Sequence, residues 1–167
     1  FSYVGSFRGL SLFVRRQRQL CLRVSYSSER KTGNTSLQVN DYKAQYGGDL
    51  VCLDDYVISP YCYDKQYKND DFYAVFEALL NYQHWVLASP VYWYNTTPQF
   101  KAFLDRITDY MDDETLRPKL RTLREKQFSL LSNAGAAQAP NAFIEMFKNT
   151  FNYLGMTFKA HQHIDAS

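Results

Sequence analysis

Apolar positions along the 167-residue chain fall into two alternating patterns. Short, mostly apolar runs at residues 20–26, 49–53, 84–89, 127–132 and 156–163 predict five strands. The third, fourth and fifth are near-continuous rather than alternating, as expected of strands covered on both faces. Between the runs, apolar residues step by three or four: Phe72, Val75, Phe76, Leu79 and Leu80; then Phe100, Phe103, Leu104, Ile107 and Met111; then Phe143, Met146, Phe147, Phe151 and Leu154. Each set makes one stripe along a helix. A weaker stripe through Leu37, Val39 and Tyr42 predicts a first helix over 35–46, stopped by Gly47-Gly48. Strand and helix therefore alternate from the first strand to the fifth, the pattern of an α/β fold with a mainly parallel sheet.

Composition narrows this picture. With 46% hydrophobic and 22% charged residues, the chain suits one globular domain. Its longest stretches without Asp, Glu, Lys or Arg, around 82–100 and 127–144, are interrupted by Pro, Asn, Gln, Ser and Thr, so neither predicts a membrane span. The three cysteines, at 21, 52 and 62, form no C-x-x-C pair, and two sit in apolar runs. That argues against a disulfide scaffold or a thiolate zinc site and for a reducing, cytoplasmic setting. The net charge of +2 hides five arginines and no acid in residues 1–28, which leaves the rest at −3. A mildly acidic body with a basic front arm is not the footprint of a nucleic-acid-binding domain.

Open α/β sheets bind ligands beyond the carboxyl ends of their strands, which directs attention to the loops after the first, third and fourth strands. The first is Ser27-Ser28-Glu29-Arg30-Lys31-Thr32-Gly33-Asn34-Thr35-Ser36. It carries hydroxyls, two cations, one glycine and a residue able to cap the helix that follows. Such a set suits a phosphate monoester at a helix start, and it equally suits a polar, capped surface loop. Dinucleotide and nucleoside-triphosphate fingerprints are missing: no two glycines are separated by one residue, and no Gly-Lys-Ser or Gly-Lys-Thr occurs. The loop after the third strand, Ser89 to Pro98, places Tyr92, Trp93 and Tyr94 in a row. Three such rings can pack on a planar ligand or mark a partner interface.

Ser28-Glu29-Arg30-Lys31-Thr32-Gly33-Asn34-Thr35 resembles the S-x-R-x-x-G-N-T phosphate loop of the flavodoxin-like NAD(P)H-dependent FMN reductases and quinone reductases. Ser89-Pro90-Val91-Tyr92-Trp93, followed by residues 100–106, is similar to that family's S-P-V-Y-W…K-x-F-x-D-R segment, and Asp70-Asp71 also fits. The likeness covers residues 20–163. It implies a doubly wound, five-stranded parallel sheet of order 2-1-3-4-5 in three α/β/α layers, with FMN as cofactor and NAD(P)H as co-substrate. It further implies that Ser28, Arg30, Asn34, Thr35 and Ser36 hold the FMN phosphate, with Gly33 allowing close approach. Pro90, Val91, Tyr92 and Trp93 would line the isoalloxazine and give it backbone N–H groups, and Asn95 would add a side-chain contact. The Asn133-Ala134-Gly135-Ala136 loop would cover the ring's other edge. Tyr92, Trp93 and Tyr94 would form the wall of the substrate pocket. The family commonly forms homodimers or homotetramers.

Three departures from the family pattern stand out. The segment 58–71 holds only Cys62, which argues against an iron–sulfur cluster. Tyr94 stands where a small residue is frequent, narrowing access to the flavin. The chain stops at Ser167, where the family continues into another helix. Tyr3, Phe7, Leu10 and Val14 step by four, three and four, so the basic arm (residues 1–19, ahead of a flavin domain at 20–167) is a candidate replacement helix. A disordered arm and a targeting segment are its alternatives.

The implied function is an FMN-dependent oxidoreductase that takes a hydride from NAD(P)H and passes it to a quinone, flavin or similar small acceptor, with no protein nucleophile. An electron carrier and a flavin-free binding module are the rival readings. His161 and His163 share a strand face but have no evident third ligand, so they are not assigned to a metal. Asp105-Arg106 is expected to be a structural ion pair, and Cys62 an incidental thiol.

Overall fold

The computed structural model describes residues 22–28 and 30–167. In chain order they form β1 (Leu22–Tyr26), α1 (Asn34–Tyr46), β2 (Asp49–Cys52), α2 (Phe72–Leu80), β3 (His84–Pro90), α3 (Pro98–Arg106), α4 (Thr108–Asp112), α5 (Arg117–Arg121), β4 (Gln127–Ala134), α6 (Asn141–Tyr153) and β5 (Thr157–Asp165). Short 3-10 turns occupy Leu53–Asp55 and Thr122–Glu125. The strands form one sheet of order β2-β1-β3-β4-β5, parallel in every ladder, the doubly wound flavodoxin-like arrangement. No described helix is long and apolar enough to cross a membrane. The basic arm lies outside the described residues.

Alternation along the strands divides the core in two. Val24, Tyr26, Cys52, Val86, Ala88 and Leu131 point to one face and meet Val39 of α1. Val51, Trp85, Leu87, Phe128 and Leu130 point to the other, under Phe72 and Phe76 of α2, Phe100 and Phe103 of α3, and Phe143, Phe147 and Phe151 of α6. That second layer is unusually aromatic, and its rings meet mostly edge to face, as Phe76 does on Trp85 and Phe100 on Phe147.

Three pattern-based expectations need correction. Leu37 is 56% exposed, so the first helix buries Thr35, Ser36, Gln38 and Val39 instead. Leu37 and Val39 are two apart and cannot share a helix face. The stripe over 100–111 is two helices, because the chain tightens at Ile107, whose N–H reaches Leu104 O while Tyr110 N–H reaches Ile107 O. The fifth strand is not covered on both faces: no residue of β5 is fully buried. It is an edge strand, and on the α1 side Lys159, Ala160 and Gln162 border an open groove with Leu22, Tyr42 and Tyr46.

Asp105 and Arg106 do not pair with each other. Asp105 takes Lys101 at 2.5 Å on the surface. Arg106 is fully buried, with Nη1 2.7 Å from Asp70 and Nε 2.7 Å from Asp109, and its guanidinium lies 3.3 Å from the centroid of the Tyr67 ring. This cluster pins the long 56–71 segment to α3 and α4. Burial pushes the Asp70 carboxyl up, but the N–H groups of Ser59 and Phe72, together with Arg106, outweigh it and hold the group below its ordinary 3.8. A carboxyl depressed in the folded state stabilises fully above its unfolded value and loses that contribution as pH falls through the folded one.

Arg106→Ala strands two buried carboxylates and is expected to cost about 3–5 kcal/mol in denaturant unfolding at neutral pH. As pH falls below 3.8 the gap between variant and wild type should narrow, because the wild type then loses the stabilisation its depressed Asp70 carboxyl supplies at higher pH.

Candidate functional site

The carboxyl ends of β1, β3 and β4 lie side by side, and the three loops leaving them enclose a cavity of about 600 Å³. It is lined by Ser28, Arg30, Thr32, Gly33, Asn34 and Thr35 of the first loop, by Pro90, Val91 and Tyr92, and by Asn133, Ala134, Gly135 and Ala166. Among the described lining residues, Arg30 is the one charged side chain.

The first loop is shaped around a single carbonyl. Arg30 O accepts the N–H of Gly33 at 2.9 Å, the Ser28 hydroxyl at 2.8 Å and the Ser36 hydroxyl at 3.0 Å. Both serine hydroxyls are thereby committed to the loop itself, and Ser36 sits behind the cavity rather than in its wall. The expected side-chain cap is not made: the N-cap of α1 is Gly33, and no side chain caps the helix. The first-turn N–H groups of this 13-residue helix therefore face the cavity with the positive end of the helix dipole behind them. A Cβ on Gly33 would stand 3.1 Å from Arg30 O and 3.4 Å from Ser28 Oγ, so the turn would have to give by a few tenths of an ångström to hold one. Below the loop, Asp54 accepts the Ser28 N–H at 2.8 Å, and Lys31 pairs with Asp55.

The second loop is latched to the first. The Thr97 hydroxyl donates to Ser27 Oγ at 2.6 Å and also caps α3 by accepting Phe100 N–H, while Ser89 meets Thr96 at 2.6 Å. Residues 92–95 form a tight turn in which Tyr92 and Asn95 exchange both backbone hydrogen bonds. Its two central residues, Trp93 (φ 48°) and Tyr94 (φ 66°), are left-handed. Trp93 is 95% exposed, and neither it nor Tyr94 nor Asn95 lines the cavity. The Asn95 carboxamide oxygen instead accepts Thr96 N–H. The backbone donors differ from the expectation as well. Pro90 has no N–H, Val91 gives its own to Asn133 O, and Tyr92 gives its own to Asn95 O.

Asn133 closes the third side from a buried position, donating to Thr35 Oγ1 at 2.8 Å and to Gln38 Oε1 at 3.2 Å, while Gln38 Nε2 donates to Ser132 O. Gln38 escaped the sequence reading. Its signal was there: a polar residue beside Val39 on the one face of α1 that packs on the sheet. Thr32, Ala134 and Ala166 also line the cavity without having been singled out. On β5, His161 and His163 both point at the Ser132 hydroxyl. Burial, and then His163, lower the pKa of His161. Among the described residues, no three His, Cys, Asp or Glu side chains converge on a metal-sized site.

A family model described as NADPH-dependent FMN reductase matches residues 23–164. The chain belongs to that family, whose cofactor is FMN and whose co-substrate is NAD(P)H. It is 23% identical over 141 residues to YwqN of Bacillus subtilis (strain 168), named as an NAD(P)H-dependent FMN-containing oxidoreductase, covering 79% of this chain and 77% of that one. Among solved structures it is similar to the Trp repressor binding protein from Bacillus subtilis, with a TM-score of 0.69, 19% identity, and 85% of this chain and 82% of that one covered. It is also similar to general stress protein 14 of Treponema denticola, solved in complex with FMN, with a TM-score of 0.59, 15% identity, and 86% and 84% covered.

The cavity fits such a cofactor on its own chemistry. An uncapped helix start, one guanidinium and a Cβ-free turn suit the phosphate at one end, and the Pro90–Tyr92 and Asn133–Gly135 walls suit a flat ring at the other. Arg30→Ala is expected to weaken FMN binding about 10- to 100-fold in a fluorescence-quenching titration, in line with loss of one charge-assisted contact of roughly 1.5–3 kcal/mol. The unfolding midpoint should stay put, because Arg30 is exposed.

Proposed function

We propose that this protein is an FMN-dependent NAD(P)H oxidoreductase whose second substrate is a small planar acceptor such as a quinone or a free flavin. The observation that carries this reading is the open cavity at the ends of β1, β3 and β4, with cation and free N–H groups at one end and aromatic side chains at the rim. When bound, FMN supplies the redox chemistry, taking up a hydride from the nicotinamide and returning electrons to the acceptor. The residues have simpler tasks. Arg30 and the start of α1 hold the phosphate, Asn133 and Pro90 to Tyr92 fix the plane of the ring, and no side chain is needed as nucleophile. Trp93 and Tyr94 stand outside the cavity, where incoming planar substrates would meet them. The same exposed rings suit an interface in a homodimer or homotetramer.

One pocket face serving two substrates in turn gives ping-pong kinetics. Protein loaded with FMN should lose its visible flavin absorption on anaerobic addition of NADPH or NADH and recover it on addition of a quinone, with parallel lines in double-reciprocal plots. A bound flavin that stays oxidised under both nicotinamides would overturn the reading in favour of a one-electron carrier, and a ternary-complex pattern would overturn the shared pocket.

A further inference from the structure

Ala134 and Gly135 of the cavity wall lead into an exposed loop, residues 135–138, with open space around Gly135. Among the described residues, one hydrogen bond reaches positions 135–138: His163 Nε2 lies 2.9 Å from Ala136 O. The other ring nitrogen of His163 is 2.8 Å from the Ser132 hydroxyl, and Nε2 of His161 is 2.8 Å from that same hydroxyl. Ser132 is fully buried and immediately precedes Asn133 of the cavity wall.

Proton counting restricts this cluster. A carbonyl only accepts, so His163 must carry its proton on Nε2 to reach Ala136. When neutral, its Nδ1 is then an acceptor and takes the single Ser132 hydroxyl proton. With that proton committed, Ser132 Oγ has only lone pairs to offer His161, which must therefore present Nε2–H. Both histidines are thus Nε2–H tautomers, and all three hydrogen bonds are satisfied at once. The charged groups on the same strand are Lys159 and Asp165; α6 adds Glu145 and Lys148, paired with each other at 2.8 Å.

From this geometry we infer that His163, oriented by Ser132 and His161, is a positioning residue that holds the Ala136 carbonyl and so sets the adjoining Ala134–Gly135 wall of the flavin cavity. The wall is then held by Thr35 and Gln38 of α1 through Asn133, by the Ala166 N–H on Ala134 O at 2.7 Å, and, beyond Gly135, by β5 through His163. This rests on the FMN reading above, and its test separates the two. In the full chain without flavin, imidazole ¹⁵N shifts at pH 8 should report Nε2–H for both His161 and His163. An Nδ1–H tautomer at His163 overturns the brace, whatever binds in the cavity. In FMN titrations followed by flavin fluorescence and visible circular dichroism, His163→Leu should raise Kd about five- to tenfold and alter the dichroism. His163→Gln, whose amide can still donate to Ala136 O, should recover most of both. A Kd for His163→Leu within twofold of wild type overturns the inference, as does loss in both variants accompanied by an equal fall in unfolding midpoint. Failure of the wild type to bind FMN overturns the cofactor reading and, with it, the role assigned to His163.

Discussion

The arrangement of the site depends on one topological constraint: β1 and β4 are both neighbours of β3, and the chain reverses its direction of winding at the β1/β3 boundary. Successive crossovers therefore leave the sheet on opposite faces there, α1 on one side and α2, α3 and α6 on the other, and a crevice opens between the departing loops. Parallel registry brings Tyr26 level with Ala88, and Ser89 and Pro90 level with Ser132 and Asn133, so three loops begin at the same height. No side chain has to reach far to line the cavity.

Registry alone leaves those loops free to splay, and buried polar groups hold them. Thr97 to Ser27, Ser89 to Thr96, Asn133 to Thr35 and Gln38, and Ser28 N–H to Asp54 each join parts of the chain at the mouth of the crevice. A satisfied hydrogen bond adds only about 0.5–1.5 kcal/mol net, but a buried hydroxyl or amide left without a partner costs about 1–3 kcal/mol. The asymmetry makes alternative loop positions expensive rather than making the observed one strongly favoured. It also explains why Ser, Thr, Asn and Gln are packed so densely behind a cavity whose own lining is largely backbone and small side chains. The Arg106 cluster plays the same part at larger scale, fastening the 56–71 segment on the helical side opposite α1.

The alternation of strands and helices was legible in the sequence because period is a local property, whereas the strand order and most of the lining followed from the family resemblance. The apolar runs at 84–89 and 127–132 read as strands covered on both faces, while the part played by Gly33 between Arg30 and Asn34 came from the resemblance, since composition fitted a capped surface loop equally well. What was not legible depends on distant partners. That Ser28 and Ser36 serve one carbonyl, that Val91 N–H is taken by Asn133, and that Arg106 pairs with Asp70 rather than Asp105 are facts of tertiary contact. The burial of β5 was misjudged for a related reason: an apolar run indicates that a strand can be covered, whereas its place at the sheet edge decides whether it is. Gln38 was missed because a lone polar residue on a packed helix face has no motif of its own; only its partners on β4, the Ser132 carbonyl it donates to and the Asn133 amide it accepts from, give it meaning.

The turn at 92–95 carries the least comfortable backbone in the described structure, and its position bears on what it is for. Two consecutive residues with positive φ form the geometry that Asn-Gly or Gly-Gly normally supplies, yet here they are tryptophan and tyrosine. Holding non-glycine residues in that region costs of order 1 kcal/mol or more each, and neither side chain recovers it by packing, since Trp93 is almost wholly in solvent. The paired backbone bonds between Tyr92 and Asn95, with the Ser89–Thr96 and Thr97–Ser27 latches behind them, are what keep the turn in place. A stability-only account would place small residues there. Strain maintained at the rim of a cavity, with large planar rings at its tip, is instead the arrangement expected where contact with a second molecule, substrate or subunit, supplies the burial that the isolated chain lacks.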